Sequence, residues 1–149
     1  MKLGFELEAD EIIPNLWQGS FPRLLSAAEC GFEVVVLCAQ ELLRGDVNEE
    51  YQMHGIRVIE APFDDTRWPS EDELTTARWA AVKVASAHTQ GKKVLVTCHA
   101  GLNRSGLVNA LALRDIKKIS GSEAVKLVQS KRENALINES FARIASTLK

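Results

Sequence analysis

The chain has 149 residues, of which 46% are apolar and 26% are charged, and its formal net charge is -2. These values predict one soluble globular domain over residues 1–149, and they argue against a polybasic protein that binds nucleic acid or a membrane surface. Residues 1–10 contain no apolar signal segment, and the three cysteines include no CxxC pair. We therefore expect a cytoplasmic monomer with reduced thiols, no metal, no cofactor, no stable nucleic-acid partner and no membrane association.

Short apolar runs predict the strands of a sheet. Residues 34–38, 56–59 and 94–98 have the length and composition of buried strands. Residues 12–19 predict a further short strand at the sheet edge, with Pro14 at its start. Because helical patterns alternate with these runs, we expect an α/β fold with a central, mainly parallel sheet and helices on both faces.

Capping signals predict where the helices begin. The pattern Ser-x-x-Glu occurs at residues 70–73 and again at 120–123, and a helix is expected after each. A further helix is predicted over residues 104–118, and Asn138 can cap a last one. The loop between the strand at 94–98 and the helix at 104–118 then lies at the carboxyl end of the sheet, where the sites of α/β proteins collect.

This loop has the residues of a phosphate-binding site with a nucleophile. A strand end, a short loop and a helix N-terminus can turn backbone N–H groups toward one anion. Gly101 gives the backbone freedom to turn, Arg104 can hold two phosphate oxygens with its planar fork, and Ser105 can hydrogen-bond the sulfur of Cys98. The same field favours the thiolate, which is the nucleophilic form. We expect Cys98, Arg104 and Ser105 to be catalytic, and the intervening residues to bind the substrate phosphate, namely His99, Ala100, Gly101, Leu102 and Asn103.

The loop resembles the Cys-x5-Arg-Ser signature of the protein tyrosine phosphatase superfamily. Residues 11–20 resemble the opening segment of the small dual-specificity phosphatases, and residues 130–141 resemble their closing helices. The resemblance implies an enzyme that hydrolyses phosphotyrosine, and phosphoserine or phosphothreonine, in proteins through a cysteinyl-phosphate intermediate. One position departs from the family, which usually has His immediately before the nucleophile, where this chain has Thr97.

The leaving oxygen of such a reaction needs a proton from a nearby acid. The resemblance places that acid a little over thirty residues before the cysteine, and Asp65 lies 33 residues before Cys98. The neighbouring Asp64 is the alternative. We expect Asp65 to be the general acid, because the family acid commonly follows an acidic or amide residue and precedes a polar one.

The residues after Asp65 leave two questions open. The sequence Trp68-Pro69-Ser70 resembles the Trp-Pro-Asp loop of larger tyrosine phosphatases, with Ser at the acid position. Trp68 packs either over the site or over the core. Arg67 contacts either a phosphopeptide or solvent.

Other functions on the same scaffold have less support. Residues 101–106 also resemble the loop of cysteine-dependent RNA 5'-triphosphatases, but those enzymes generally lack a matching acid. Phosphoinositide phosphatases of the superfamily carry lysines inside the loop, whereas His99 and Arg104 are its basic groups here. A phosphate-binding module without turnover would usually lack Cys98 or Arg104.

Cys38 is a possible redox partner of the nucleophile. Residues 37–41 resemble the phosphoinositide-directed branch of the superfamily, in which a cysteine at this place can trap the oxidised nucleophile. Cys38 ends a predicted strand at the same sheet edge as Cys98. Neighbouring strands lie about 4.8 Å apart, within the reach of a disulfide. The alternative is that Cys38 packs in the core.

Overall fold

The computed structural model describes residues 2–3, 7–22, 24–43 and 47–148. Within these ranges the strands are β1 (Lys2–Leu3), β2 (Leu7–Ile13), β3 (Leu16–Ser20), β4 (Val34–Ala39), β5 (Arg57–Phe63) and β6 (Val94–Cys98). The α-helices are α1 (Leu24–Glu29), α2 (Val47–Met53), α3 (Glu71–Thr89), α4 (Arg104–Lys117), α5 (Gly121–Lys131) and α6 (Glu139–Thr147). Residues Gln40–Leu42 form one turn of 3₁₀ helix.

The strands form one sheet in the order β1-β2-β3-β6-β4-β5. β3, β6, β4 and β5 are parallel to one another, whereas β2 is antiparallel to both of its neighbours, β1 and β3. Alternate residues of β4 face opposite sides, so Val34 and Val36 pack in the core under α3–α6, while Val35 and Leu37 pack in a second core with residues of α1 and α2. This arrangement confirms the predicted α/β fold, with a mainly parallel sheet and helices on both faces.

The predicted helices of the second half are confirmed. Ser70 and Ser120 each form a complete capping box with the glutamate three residues later, and α3 and α5 follow. Asn138 caps α6 by accepting a hydrogen bond from the backbone N–H of Phe141. α4 ends at Lys117, one residue before the predicted end, because Lys118 adopts a left-handed conformation with φ 54°.

The predicted edge strand over residues 12–19 is wrong. The chain folds there as a hairpin of β2 and β3, which turns at Pro14 and Asn15, and Asn15 takes the left-handed conformation with φ 70°. β3 then lies inside the sheet, between β2 and β6, and its residues 16–19 are buried. Gln18 argues against a buried strand in the sequence, because a glutamine is rarely found in a core.

Two helices of the first half were not predicted. α1 and α2 have only six and seven residues, too few to reveal a helical period. Among the described residues, none of the helices combines the length and the hydropathy that crossing a membrane requires.

Candidate active site

Cys98 ends β6, which lies between β3 and β4 in the middle of the sheet. Its side chain is 3% exposed, and its Sγ lies 3.3 Å from Oγ of Ser105 in the first turn of α4. A hydroxyl at this distance can donate a hydrogen bond to a thiolate. The structure thus brings together two of the predicted catalytic residues at the carboxyl end of a central strand.

The loop after Cys98 depends on glycine at one point. Gly101 has φ 74°, and a Cβ added there would come within 2.3 Å of the carbonyl carbon of Gly19 on β3. The loop therefore lies directly on the backbone of β3, where any side chain would displace it.

The carbonyl groups of the loop accept hydrogen bonds from residues outside the loop. The carbonyl oxygen of Ala100 accepts from Nη2 of Arg132 at 3.0 Å, and that of Gly101 accepts from Nε of Arg132 at 2.6 Å. Gly101 also accepts from Nε2 of Gln18 at 3.1 Å, and Leu102 accepts from the backbone N–H of Leu136 at 3.0 Å. Carbonyls fixed on the outside leave the N–H groups of the same peptides free to turn toward an anion on the inside.

Arg132 is a buried residue at the end of α5 that sequence reasoning missed as a functional residue. Its side chain is 3% exposed and forms ion pairs with Asp10 at 2.8 Å and Glu8 at 3.1 Å, both on β2. Because two carboxylates accompany one guanidinium, this cluster adds no net positive charge behind the phosphate loop. Arg132 therefore acts on the loop through the positions of the carbonyls it binds.

Arg104 begins α4, and its guanidinium is held along one edge. Nη1 and Nη2 each donate to one carboxylate oxygen of Glu41 at 2.7 Å, and Nη1 also donates to the carbonyl of Phe63 at 3.3 Å. The buried Nε–H has no hydrogen-bond partner among the described residues. A guanidinium can bind an oxyanion along either of two edges. Since Glu41 takes the Nη1/Nη2 edge, the Nε/Nη2 edge is available to a phosphate.

Glu41 holds this orientation over the neutral pH range. The hydrogen bonds from Arg104 lower the pKa of Glu41 to about 2, and Glu41 in turn raises the pKa of Arg104. Because the carboxyl pKa is depressed in the folded protein, the pair is fully formed above the ordinary carboxyl pKa and weakens only as the pH falls toward about 2. Sequence reasoning named Glu41 only within a resemblance and assigned it no role.

The carboxylate of Asp65 accepts hydrogen bonds from two asparagine side chains. Nδ2 of Asn103 donates to one carboxylate oxygen at 2.9 Å, and Nδ2 of Asn138 donates to the other at 2.7 Å. The backbone N–H of Asn138 also donates to Oδ1 of Asn103 at 2.9 Å. The loop after β5, the phosphate loop and the start of α6 are thus joined at Asp65. The side chain of Asn103, predicted to bind substrate, contacts these two residues.

Asp64 and Asp65 have different surroundings. The backbone N–H of Asp64 donates to Glu73 at 3.0 Å, and hydrogen bonds from the backbone of Ser70, with a smaller one from Asp64, lower the pKa of Glu73. Asp65 lines a cavity of about 370 Å³ that Asp64 does not reach. The other residues lining this cavity are Glu41, Cys98, His99, Ala100, Leu102, Asn103 and Arg104.

Cys38 and Thr97 lie beneath the loop on neighbouring strands. Leu37 of β4 is opposite Thr97 of β6, so Cys38 and Cys98 follow on adjacent strands, and both side chains belong to the same core. Cys38 is fully buried, and burial, together with the charge of Cys98, raises the pKa of its thiol. Thr97 donates its hydroxyl to the carbonyl of Val36 at 2.7 Å and so ties β6 to β4 directly before the nucleophile.

Comparison with protein families decides the membership of the chain. Residues 16–146 match the model described as "Dual specificity phosphatase, catalytic domain". The chain belongs to this family. The phosphatase is 26% identical over 137 residues to protein 123R of Invertebrate iridescent virus 6, which bears the name of a tyrosine phosphatase; the match covers 92% of this chain and 89% of that protein.

Solved structures of similar proteins have the same fold. The phosphatase matches Tk-PTP in its active form with a TM-score of 0.78 and 24% identity, over 92% of each chain. It matches human DUSP28 with a TM-score of 0.72 and 20% identity, over 93% of this chain and 92% of that chain. The predicted resemblance is confirmed, and the protein is a cysteine-dependent phosphatase of the tyrosine or dual-specificity type.

Proposed function

We propose that this phosphatase hydrolyses phosphotyrosine, and phosphoserine or phosphothreonine, in proteins through a cysteinyl-phosphate intermediate. The observation that carries the proposal is one cavity lined by Cys98, Arg104 and Asp65. A nucleophile, an oxyanion-binding guanidinium and a carboxyl group are the three groups that displacement at phosphorus with a poor leaving group requires.

The first step transfers the phosphoryl group to the enzyme. The thiolate of Cys98 attacks phosphorus, an S–P bond forms, and the bond between phosphorus and the leaving oxygen breaks. The Nε/Nη2 edge of Arg104 and the N–H groups of residues 99–103 hold the other phosphate oxygens. Asp65 gives its proton to the leaving oxygen, so the product alcohol or phenol leaves neutral.

The second step returns the enzyme to its starting state. A water molecule attacks the phosphorus, Asp65 takes a proton from it, and the S–P bond breaks. The products are inorganic phosphate and the Cys98 thiolate. The hydroxyl of Ser105, 3.3 Å from the sulfur, stabilises the thiolate as it leaves.

The cavity supports a single phosphate monoester as the substrate. Its basic lining residues are Arg104 and His99, and Arg104 is already paired on one edge with Glu41. An RNA 5'-triphosphate or a phosphoinositide carries several phosphates, whose binding favours additional Lys and Arg side chains. The lining also includes the carboxylate of Glu41, so the cavity lacks the excess of cations that several phosphates would need.

A substrate panel tests this proposal. The purified protein is given a phosphotyrosine peptide, a phosphothreonine peptide, a soluble phosphoinositide and an RNA 5'-triphosphate, and phosphate release is measured at equal concentrations. We expect the highest kcat/KM on the phosphopeptides. Turnover confined to the RNA or to the phosphoinositide would contradict a protein substrate and leave the chemistry of the cavity intact.

Replacing the acid, Asp65→Asn, is expected to lower kcat for phosphopeptides by roughly 10² to 10⁴-fold. An amide cannot give up a proton, so the loss should shrink for an aryl phosphate whose phenol is acidic. Rates are measured against a series of aryl phosphates at several pH values, and the basic limb of the pH profile should flatten. Asp64→Asn is the matched control. If the control shows the loss and Asp65→Asn does not, the acid is Asp64.

Cys38 is proposed as the resolving thiol of an oxidised nucleophile. The Cys98 thiolate attacks one oxygen of peroxide, an S–O bond forms and the O–O bond breaks, which gives a sulfenic acid and a hydroxide that takes a proton from solvent to become water. The Cys38 thiol then attacks that sulfur, water leaves, and a disulfide forms. Oxidation also removes the negative charge on Cys98 that contributes to the raised pKa of Cys38. An added dithiol reduces the disulfide and restores both thiols.

Peroxide treatment followed by dithiothreitol is expected to restore activity to the wild type and to the Cys30→Ser control, but much less to Cys38→Ser. Without a partner, the sulfenic acid of Cys98 proceeds to irreversible forms. Peptide mapping of the treated wild type should reveal a Cys38–Cys98 linkage. Equal recovery in Cys38→Ser, with no linked peptide, would leave Cys38 as a core residue.

A further inference from the structure

A second cavity of about 700 Å³, here called the flanking groove, adjoins the catalytic cavity and shares Asp65 and Asn103 with it. Its remaining lining comes from the loop after β5 and from the start of α6. The side chains that matter below are Arg67, Trp68, Ile137, Glu139 and Arg143.

The direction of the reaction places the body of the substrate in this groove. Cys98 attacks phosphorus opposite the leaving oxygen, so that oxygen and everything attached to it lie on the far side of the phosphate. Asp65 must contact the leaving oxygen to protonate it. Because the flanking groove begins at Asp65, it is the surface that the substrate meets beyond the leaving oxygen.

Each wall of the groove offers one large apolar side chain and one cation. On the loop wall, Trp68 is 82% exposed, so it packs over neither the catalytic cavity nor the core. On the opposite wall, Ile137 is 66% exposed. Arg67 and Arg143 line the same groove, and in the part of the chain that the structure describes neither guanidinium forms an ion pair.

We propose that the flanking groove binds the polypeptide segment next to the phosphorylated residue and selects a large apolar side chain together with an acidic one. The apolar side chain packs on Trp68 and Ile137, and the acidic one pairs with Arg143 or Arg67. The proposal rests on the proposed protein phosphatase activity and adds the sequence that such a substrate carries. It specifies a substrate preference for that activity and assigns no further residue to the chemistry.

A polypeptide fits this groove better than a membrane or a nucleic acid does. Glu139 places a carboxylate on the same wall as Arg143. A bilayer surface or a nucleic-acid backbone presents repeated negative charge, and binding it favours an excess of cations, whereas this groove sets Asp65 and Glu139 against Arg67 and Arg143. A peptide presents apolar, acidic and basic side chains within a few residues and can match a groove that carries both signs of charge.

The first test compares Trp68→Ala with Trp79→Ala, an exposed tryptophan on α3 that does not line the groove. The substrates are a phosphopeptide library, with each flanking position varied in turn, and a small aryl phosphate that cannot reach the groove. We expect Trp68→Ala to lower kcat/KM by roughly three- to tenfold for peptides with an apolar neighbour, mainly through KM. Trp79→Ala should match the wild type on every substrate, and all variants should match on the aryl phosphate.

The second test exchanges charges. Arg143→Glu should lower kcat/KM for the best acidic peptide by roughly two- to fivefold and raise it for the same peptide with Lys in place of the acidic residue. Arg78→Glu, on α3 outside the groove, is the matched control and should leave this preference unchanged. The kcat/KM values for both peptides are measured in variants whose thermal unfolding matches that of the wild type.

Three outcomes would overturn the proposal. Peptide kcat/KM that is the same in the wild type, Trp68→Ala and Arg143→Glu leaves the groove without a role in selection. Loss of turnover by the groove variants on a phospholipid in vesicles, but not on peptides, assigns the groove to a membrane surface. A wild type that hydrolyses the aryl phosphate but no peptide removes the proposed protein substrate, and this groove assignment with it.

Discussion

Cys98→Ser is expected to abolish turnover, by roughly 10⁴-fold or more in kcat, while the protein keeps its fold. A serine hydroxyl stays protonated at neutral pH and is a poor nucleophile without a base beside it. The neighbour of the Cys98 sulfur is the hydroxyl of Ser105, which is itself too weak a base to take that proton. The exchange of sulfur for oxygen removes little volume, so the core around the strand end should not collapse.

The anion site should survive in the same variant, because it is built from other groups. The Nε/Nη2 edge of Arg104 and the loop N–H groups do not depend on the sulfur. Calorimetric titration with inorganic phosphate should therefore give similar affinities for Cys98→Ser and the wild type. Cys30→Ser, at a half-buried cysteine outside the cavity, is the matched control and should retain full activity. Near-normal turnover in Cys98→Ser would rule out the covalent intermediate.

The predictable part of the molecule is local in sequence. The strand that ends at Cys98, the loop and the helix from Arg104 occupy one continuous segment, so residue types and spacing suffice to predict their arrangement. The capping boxes of α3 and α5 are likewise read within four residues. Asp65 was predicted through a resemblance, and the structure places it at the cavity.

The supporting part of the site depends on contacts between residues far apart in the chain. Gln18 and Gly101 are 83 residues apart, and Arg132 and Asp10 are 122 apart. Gln, Arg and Asn are usually surface residues, so a short stretch of sequence does not indicate that one of them is buried or which residue it contacts. The roles of Glu41 and Asn138 in the site were likewise not predicted, because each acquires its role only when the fold brings Arg104 or Asp65 beside it.

Arg132→Met is expected to lower both activity and stability, although Arg132 does not line the catalytic cavity. Loss of the guanidinium frees the carbonyl of Ala100 and leaves the carbonyl of Gly101 with Gln18 as its remaining side-chain donor, so the N–H groups of the loop are held less firmly. We expect kcat/KM for an aryl phosphate to fall by roughly 10²-fold, the scale of losing one preorganised donor for the transition state. Glu8 and Asp10 lose the guanidinium at the same time, and because Glu8 is half exposed the total cost in the free energy of unfolding should be about 1 to 3 kcal/mol, mainly from the buried hydrogen bonds.

Separate variants distinguish the position of the loop from general destabilisation. Arg132→Lys keeps a positive charge for Asp10 and Glu8, but a single ammonium cannot reproduce the planar donors that reach both carbonyls. It should regain stability more than it regains activity. The double variant Glu8→Gln with Asp10→Asn keeps the donors of Arg132 and removes the ion pairs, so it should lose stability and retain most of its activity.

Activity and phosphate affinity are measured at a temperature where every variant is fully folded, as judged by its own unfolding curve. Under those conditions a residue that only stabilises the fold would leave both quantities unchanged. If Arg132→Met binds inorganic phosphate and turns over the aryl phosphate as the wild type does, Arg132 serves stability alone. A weaker phosphate affinity in Arg132→Met and Arg132→Lys, with normal affinity in the carboxylate double variant, would assign the effect to the two carbonyls of the loop.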